Sequence, residues 1–260
     1  MEKNVALITG ASSGLGLEFA RLLAKDKYNL ILVARSQNKL TEIAAELEKN
    51  HNIQVFILVK DLSKQTAAGE IFEFTHQNQL SVDILINNAG FGNFGFFAET
   101  EIQKETEMID LNVRTLTMLT KLFVKGMVKR GKGRILNIAS TAAFQPGPLM
   151  AVYYASKAYV LSFSEAISNE LKGTGVTVTT LCPGPTQTGF ETAASLQESK
   201  LFKTMKPARA TEVALFGYNA LMKGKTLAIH GWLNRLIVFA NRLAPRSIIV
   251  KTVRKMSERI

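Results

Sequence analysis

Two polar side chains set four residues apart raise the first chemical question in this sequence. The stretch Tyr153-Tyr154-Ala155-Ser156-Lys157 opens a helical pattern. Residues four apart share a helix face, so Tyr153 and Lys157 project together, whereas the corresponding partner of Tyr154 is Ala158. An unperturbed tyrosine has a pKa near 10, too high for ready proton exchange at neutral pH, and a nearby ammonium favours the phenolate and lowers it. Tyr153 is therefore expected to act as the acid in carbonyl reduction and as the base in alcohol oxidation. Ser140 follows a short apolar run within Ala139-Ser140-Thr141, where its hydroxyl could donate to a substrate oxygen as charge develops. Asn112 sits in Asp110-Leu111-Asn112-Val113, inside a helical pattern whose other repeating positions are apolar. A Tyr-x-x-x-Lys pair alone arises readily by chance, so its weight depends on what it stands beside.

A second cluster lies near the N-terminus, where an apolar run ends in Thr9-Gly10-Ala11-Ser12-Ser13-Gly14-Leu15-Gly16 and passes into a helical pattern. Glycines there let the backbone turn sharply and approach a pyrophosphate, while the helix N-terminus offers free N–H groups to its charge. The spacing is G-x-x-x-G-x-G, wider than the commonest dinucleotide fingerprint. A plain glycine-rich turn is the bland alternative. Gly10 to Gly14 also matches the G-x-S-x-G elbow of hydrolases. That elbow needs an oxyanion N–H from a loop after an earlier strand, however, and only nine residues precede Gly10. The next run, Leu30 to Val33, ends in Ala34-Arg35-Ser36, where a dinucleotide site would place a carboxylate for a free ribose 2′-hydroxyl or an arginine for a 2′-phosphate. Arg35 offers a planar set of donors to a phosphate, so NADP(H) is expected over NAD(H), unless Arg35 is merely a solvated helix-start residue. Asp61-Leu62 and Asn87-Asn88-Ala89-Gly90 follow two further apolar runs, and the small Ala89-Gly90 pair would let the chain pass close beneath an adenine ribose.

These residues need elements that bring them to one edge. Candidate strands are Val5–Thr9, Asn29–Val33, Ile53–Val59, Ile84–Asn87, Arg134–Ile138, Thr177–Leu181 and, more weakly, Thr226–Ile229. Most are continuously apolar, which suits strands of a parallel sheet buried on both faces. Helical patterns lie between them at Leu15–Lys25, Lys39–Lys49, Lys64–His76, Glu105–Arg130 and Tyr153–Lys172. The alternation predicts an α/β fold, a Rossmann-like doubly wound parallel sheet of about seven strands with helices on both faces, in one domain over residues 1–260. Ligands of such sheets bind outside the carboxyl ends of the strands, so the residues that follow each strand carry the functional information.

In order and spacing these motifs resemble the short-chain dehydrogenase/reductase family of the single-domain type, including its ketoacyl reductase and hydroxysteroid dehydrogenase members. The matching residues are Thr9 to Gly16, Asn87 to Gly90, Asn112, Ser140, Tyr153 with Lys157, and the turn Pro183-Gly184. The resemblance implies a catalytic tetrad of Asn112, Ser140, Tyr153 and Lys157. Lys157 would also hold the nicotinamide ribose, and Asn112 would position a water in the proton relay. For the cofactor it implies Thr9, Gly10, Ser12 to Gly16, Arg35, Asp61, Leu62, Asn88 to Gly90, Pro183, Gly184, Thr186 and Thr188. Asp61 would contact the adenine, and Pro183 to Thr188 would embrace the nicotinamide. Substrate would lie among apolar segments carrying Phe91, Phe94, Phe144, Met150 and Phe190, which favours an apolar ketone or aldehyde, 3-oxoacyl or steroid-like, over a sugar or small acid. Many of these phenylalanines could equally be core. The stretch Pro183 to Thr192 is expected to hinge a lid. A homodimer or homotetramer is the expected assembly. A non-catalytic NADP-binding regulator on the same fold is the alternative, and the complete tetrad speaks against it.

Composition bounds the remainder. Of 260 residues, 47% are hydrophobic and 20% charged, enough apolar material for a sizeable core and against disorder. Cys182 is the only cysteine, so no disulfide can close within the chain, and with three histidines no zinc-ligand spacing appears. No signal segment or membrane helix is legible, which places the chain in the cytoplasm by default, with a membrane periphery left open. The net charge of +11 invites nucleic acid, but no recognition motif accompanies it. Much of the excess lies from Lys225 onward, where eight basic residues face the single acid Glu258. Leu233, Leu236, Ile237, Phe239, Ala240 and Leu243 recur there at helical spacing. Residues 225–260 are therefore expected to form a basic helical extension packed on the core or a second subunit, or meeting a membrane surface or an acidic acyl-carrier partner.

Overall fold

The apolar runs do become strands. In the computed structural model, which describes residues 4–189 and 207–258, β1 (Val5–Thr9), β2 (Asn29–Ala34), β3 (Val55–Val59), β4 (Val82–Asn87), β5 (Gly133–Ile138), β6 (Val176–Cys182) and β9 (Leu227–Ile229) form one sheet. Its order is β3-β2-β1-β4-β5-β6-β9, and every neighbouring pair is parallel. A two-residue ladder pairs β7 (Thr186–Gln187) with β8 (Ala208–Arg209).

Successive strand side chains alternate between the faces, and both faces are apolar, which is why the strands read as continuous hydrophobic runs. Ala6, Ile8, Leu30 and Leu32 point to one core, which α1 (Gly14–Lys25), α2 (Gln37–His51) and α7 (Ala210–Met222) cover with Phe19, Leu23, Leu40, Val213 and Leu221. Leu7, Ile31, Leu85, Ile135 and Val178 point to the other, covered by α3 (Ala67–Gln77) and α5 (Leu116–Arg130) through Ile71, Leu119, Phe123 and Met127. Each fully buried Leu, Ile or Phe contributes roughly 1.5–3 kcal/mol, so the two cores fix the sheet rigidly beneath the strand ends. The order reverses at β1, with β2 and β3 to one side and β4 to the other. That reversal opens a crevice beyond the carboxyl ends.

Two departures from the expected elements matter for the site. The pattern Glu105–Arg130 is not one helix: α4 (Ile102–Ile109) and α5 flank a π-helical turn over Asp110–Thr115. Such a turn widens the backbone ring by one residue and shifts the following side chains around the axis, and it carries Asn112 here. Beyond β9 the chain forms α8 (Trp232–Leu243) and, after Pro245, α9 (Arg246–Met256). Ile249 and Val253 of α9 pack on Phe94, Leu149, Met150 and Tyr154, which fastens the extension onto the segments that follow β4 and β5. No helix among the described residues is long and apolar enough to cross a membrane.

Candidate active site

A cavity of about 790 Å³ runs along the carboxyl edge of the sheet from the end of β2 to the end of β6. At one end it meets the start of α1. Gly10, Ser12, Ser13, Gly14 and Leu15 line it, and Ser13, at the N-cap, makes no side-chain cap hydrogen bond. The first-turn amides are thus left for a ligand, and a phosphate suits them. Gly14 takes φ +55°, and a Cβ on Gly16 would stand 2.2 Å from the Gly10 carbonyl oxygen, so a side chain there would push α1 off the end of β1. Thr9 and Gly16 are expected ligand residues that line no part of the cavity. Gly16 is the close packing point of helix on strand. Thr9 donates from Oγ1 to the Ile86 carbonyl and accepts from the N–H groups of Asn88 and Ala89, tying β1 to the turn after β4. Asn88 returns Nδ2 hydrogen bonds to the carbonyls of Thr9 and Gly10.

Arg35 stands exposed where β2 ends and lines the cavity with Ser36 and Lys39. Lys60 lines it too, but an ion pair with Glu70 holds its ammonium. Asp61 and Leu62 follow β3 on the same wall. Burial works against ionisation of Asp61, but the Ser63 backbone N–H and hydroxyl, with Lys64 and Arg35, hold its carboxyl below the usual carboxylate value. This donor set fits an anionic dinucleotide: free helix-start amides for a pyrophosphate, then two cations for a further phosphate.

At the other end the structure brings Ser140, which follows β5, and Tyr153 and Lys157 of α6 (Ala151–Glu170) onto one wall. The Ser140 hydroxyl accepts from Ala142 N–H at 3.1 Å and hydrogen-bonds the Tyr153 hydroxyl. Lys157 is buried, donates from Nζ to the Ile138 carbonyl at 2.9 Å, and lies 5.8 Å from the centroid of the Tyr153 ring. The expected lowering of the Tyr153 pKa is not what this geometry gives. Burial raises it above the ordinary tyrosine value, and the Ser140 hydrogen bond opposes that rise only in part. Lys157 shows the same cause acting on a cation: burial pulls it down to about 8, with nearby Cys182 opposing. Desolvation disfavours the charged form of both groups, and it is the largest cause of each shift.

Asn112 sits behind this wall rather than on it. Its Nδ2 donates to the Phe91 carbonyl at 2.9 Å and to Ser156 Oγ at 3.1 Å, and its Oδ1 accepts from Phe91 N–H. Ser156 Oγ donates in turn to the Tyr153 carbonyl. A Cβ on Gly90 would lie 2.9 Å from Asn112 Oδ1 and 3.4 Å from Lys157 Nζ, so the two side chains converge on Gly90. Ser156 is a site residue the sequence reading missed, although its place directly before Lys157 was on view.

Pro183, Gly184, Thr186 and Thr188 line the cavity beyond β6, and Phe91 and Met150 join them. Phe94 and Phe144 depart from the expected substrate wall. Phe94 is buried under α9 against Ile249 and Val253, and Phe144 packs on the cluster around Val160, so both serve the core. Phe190 and the end of the expected hinge at Thr192 lie outside the described residues. The larger omission is the extension: Asn234, Ile237, Val238 and Asn241 of α8 and Met256 of α9 line the cavity, and Asn241 donates to Gln145 beside them.

Comparison with known proteins identifies the family. The pattern of the family described as short chain dehydrogenase matches residues 4–199. A very-long-chain 3-oxoacyl-CoA reductase of Phaeosphaeria nodorum is 40% identical over 179 residues, covering 66% of this chain but only 52% of its own length, so the chain matches about half of that relative. The enzyme of the same name from Rattus norvegicus is 30% identical over 254 residues, 95% of this chain and 78% of the rat protein. Among solved structures, a short-chain dehydrogenase from Sphingobium yanoikuyae in complex with NADPH superposes with a TM-score of 0.83 at 28% identity, covering 92% of this chain and 94% of its own. By sequence pattern, relatives and fold alike, the chain belongs to the short-chain dehydrogenase/reductase family.

Proposed function

We propose that this chain is an NADP(H)-dependent oxidoreductase that interconverts an apolar ketone or aldehyde, of 3-oxoacyl or steroid-like character, and its alcohol. The observation that carries the reading is one continuous cavity with helix-start amides and Arg35 at one end and Ser140, Tyr153 and Lys157 at the other. NADPH, when bound, supplies the hydride. The chain holds the cofactor and moves the proton. The α1 amides take the pyrophosphate, Arg35 and Lys39 take the 2′-phosphate, and Asp61 and Leu62 flank the adenine. Pro183 to Thr188 hold the nicotinamide end. Tyr153 gives its hydroxyl proton to the carbonyl oxygen. The Ser140 hydroxyl both steadies that oxygen and favours the tyrosinate left behind. Lys157 holds the ribose and returns a proton towards Tyr153, and Asn112, fixed by Phe91 and Ser156, shapes the relay beneath.

Phe91, Met150, Ile237 and Val238 give the substrate end apolar walls, and the similar proteins named as 3-oxoacyl-CoA reductases support a carbonyl with a hydrocarbon tail. We read residues 1–260 as a single unit, because the extension lines the site. Exposed Ile109 and Met118 beside the exposed Tyr159 support a homo-oligomer, dimer or tetramer.

The test is NADPH oxidation across carbonyls graded in chain length and ring content. Activity should rise with apolar size, and Tyr153→Phe should lower kcat by about 10²–10⁴ while NADPH still binds. Turnover confined to small polar ketones would overturn the substrate class. A Tyr153→Phe protein that keeps the chain's cellular role would establish an NADP-binding regulator instead.

A further inference from the structure

Helix α8 is built the wrong way round for a helix resting on a core. Asn234, Ile237, Val238 and Asn241 form the face that lines the cavity, half of it amide. Trp232, Leu236, Phe239 and Leu243 follow at intervals of four, three and four and so stack on the opposite face, where they are 76%, 54%, 60% and 75% exposed. A surface helix ordinarily points such a row inward. Ile248 of α9 is 56% exposed, and Arg254 of α9 stacks on Phe96, whose neighbour Phe97 is also exposed. Exposed apolar side chains thus lie on α8, on α9 and in the segment after β4, three stretches that each also line the cavity through other residues. Exposed apolar surface on this scale marks a docking face.

The charge on the page says what docks there. Arg235 and Arg242 flank the apolar row on α8, and Arg246, Lys251, Arg254 and Lys255 follow on α9 with no acid in either helix. A second copy pairing through this face would set those cations against each other, and like charge disfavours a self-complementary contact. An anionic lipid surface meets every feature: arginine and lysine head groups reach phosphates while their stems lie along apolar surface, tryptophan and phenylalanine enter the headgroup boundary, and the helix lies in the plane.

We propose that α8 and α9 seat this protein on an anionic lipid bilayer, with Trp232, Leu236, Phe239 and Leu243 immersed. Seated so, the cavity-lining face of α8 stands directly above the lipid. A carbonyl dissolved in the bilayer then reaches the site along the helix without crossing water, a consequence that rests on the apolar-substrate reading.

The experiment is co-sedimentation of the full chain with vesicles of phosphatidylcholine and phosphatidylglycerol, and with phosphatidylcholine vesicles alone. It reads binding whether or not the chain turns over a carbonyl, so failure here leaves the enzymatic reading intact. The protein should bind the mixed vesicles at least about tenfold more tightly than the neutral ones and lose that preference in high salt. Trp232→Ser/Leu236→Ser/Phe239→Ser/Leu243→Ser should bind at least about tenfold more weakly, while NADPH binding and turnover of a soluble carbonyl, the checks that it folds, stay at wild-type level. A wild-type chain that stays in the supernatant overturns the proposal. So does equal vesicle binding by the fourfold variant, or a wild-type dimer that the variant turns into monomer without any vesicle binding. Retention on an acidic acyl-carrier protein with no vesicle binding also overturns it.

Discussion

The cavity joins two regions that are built on different principles. The nucleotide end, from β1 to the turn after β4, is made of backbone: helix-start amides, the Gly16 contact at the Gly10 carbonyl, and the Thr9 and Asn88 hydrogen bonds that lock adjacent strands. The end proposed for the substrate is made of side chains, Phe91 and Met150 together with others borrowed from α8 and α9, which reach the cavity from the last 30 residues of the chain. Backbone geometry leaves few solutions, so the first region reads as a motif with fixed spacing. Side-chain walls have many solutions, so the second leaves only a periodicity. The two regions should therefore fail differently when altered: the first in cofactor binding, the second in carbonyl recognition alone.

The sharpest way to break that contrast is Gly16→Val. The first added carbon meets a backbone oxygen that no rotamer change can move aside, and the N-terminus of α1 must shift. NADPH affinity measured by fluorescence titration should fall by about 100-fold, because both the overpacking and the lost charge-assisted amide contacts act against binding. Circular dichroism separates this from a chain that has not folded. An affinity within a few-fold of wild type would mean the helix start does not hold the phosphates.

Arg35→Asp tests the same end through a side chain. Removing a charge-assisted contact costs roughly 1.5–3 kcal/mol, so kcat/KM with NADPH should fall about ten- to hundredfold while that with NADH stays level or rises. Unchanged preference would reduce Arg35 to a solvated residue and shift the burden to Lys39.

At the junction of the regions, Lys157 predicts a pH dependence. Its value of about 8 lies below that of an exposed lysine, so the ammonium is present at pH 7 and lost as pH rises through about 8. The kcat/KM for NADPH, which reports the free enzyme, should hold to about pH 8 and then fall about tenfold per pH unit. The stability sign is opposite. A lowered folded-state lysine value disfavours the fold while the group is charged, and that penalty is relieved between about 8 and the exposed-lysine value. Activity should thus fall over a pH window in which this group makes the protein more stable, and a flat kcat/KM profile to pH 10 would show that the ammonium is not needed.

How much of this was legible follows the same division. The parallel sheet, most of its strands and the residues that trail each strand could be read directly, because parallel strands buried on both faces leave apolar runs and ligand turns need glycine at fixed intervals. The π-helical turn at Asn112 could not, since it is a choice of hydrogen bonds that Phe91 and Ser156 stabilise from 21 and 44 residues away. Neither could the state of Tyr153: spacing put an ammonium beside it, but the depth of burial, which decides the sign, is a property of the whole fold. Phe94 and Phe144 look like their neighbour Phe91 in sequence, and only the docking of α9 and the packing around Val160 separate wall from core. For α8 the periodicity was plain, but a helical wheel carries no information about which face meets solvent.

The smallest expected effect tests the substrate end most directly. Ile237 lines the cavity from α8, opposite that helix's exposed row, and is itself partly exposed, so Ile237→Ala removes only part of a buried side chain's worth of apolar contact. At about 25 cal/mol per Å² this amounts to roughly 1 kcal/mol, or about a fivefold rise in KM. The rise should appear for the longest carbonyl in a graded series, shrink for the shortest, and leave the KM for NADPH within about twofold. A uniform rise across the series would mean that α8 supports the fold of the cavity without touching the substrate. A matching rise in the KM for NADPH would erase the division between the two ends, because the extension would then be holding the cofactor as the glycine turn does.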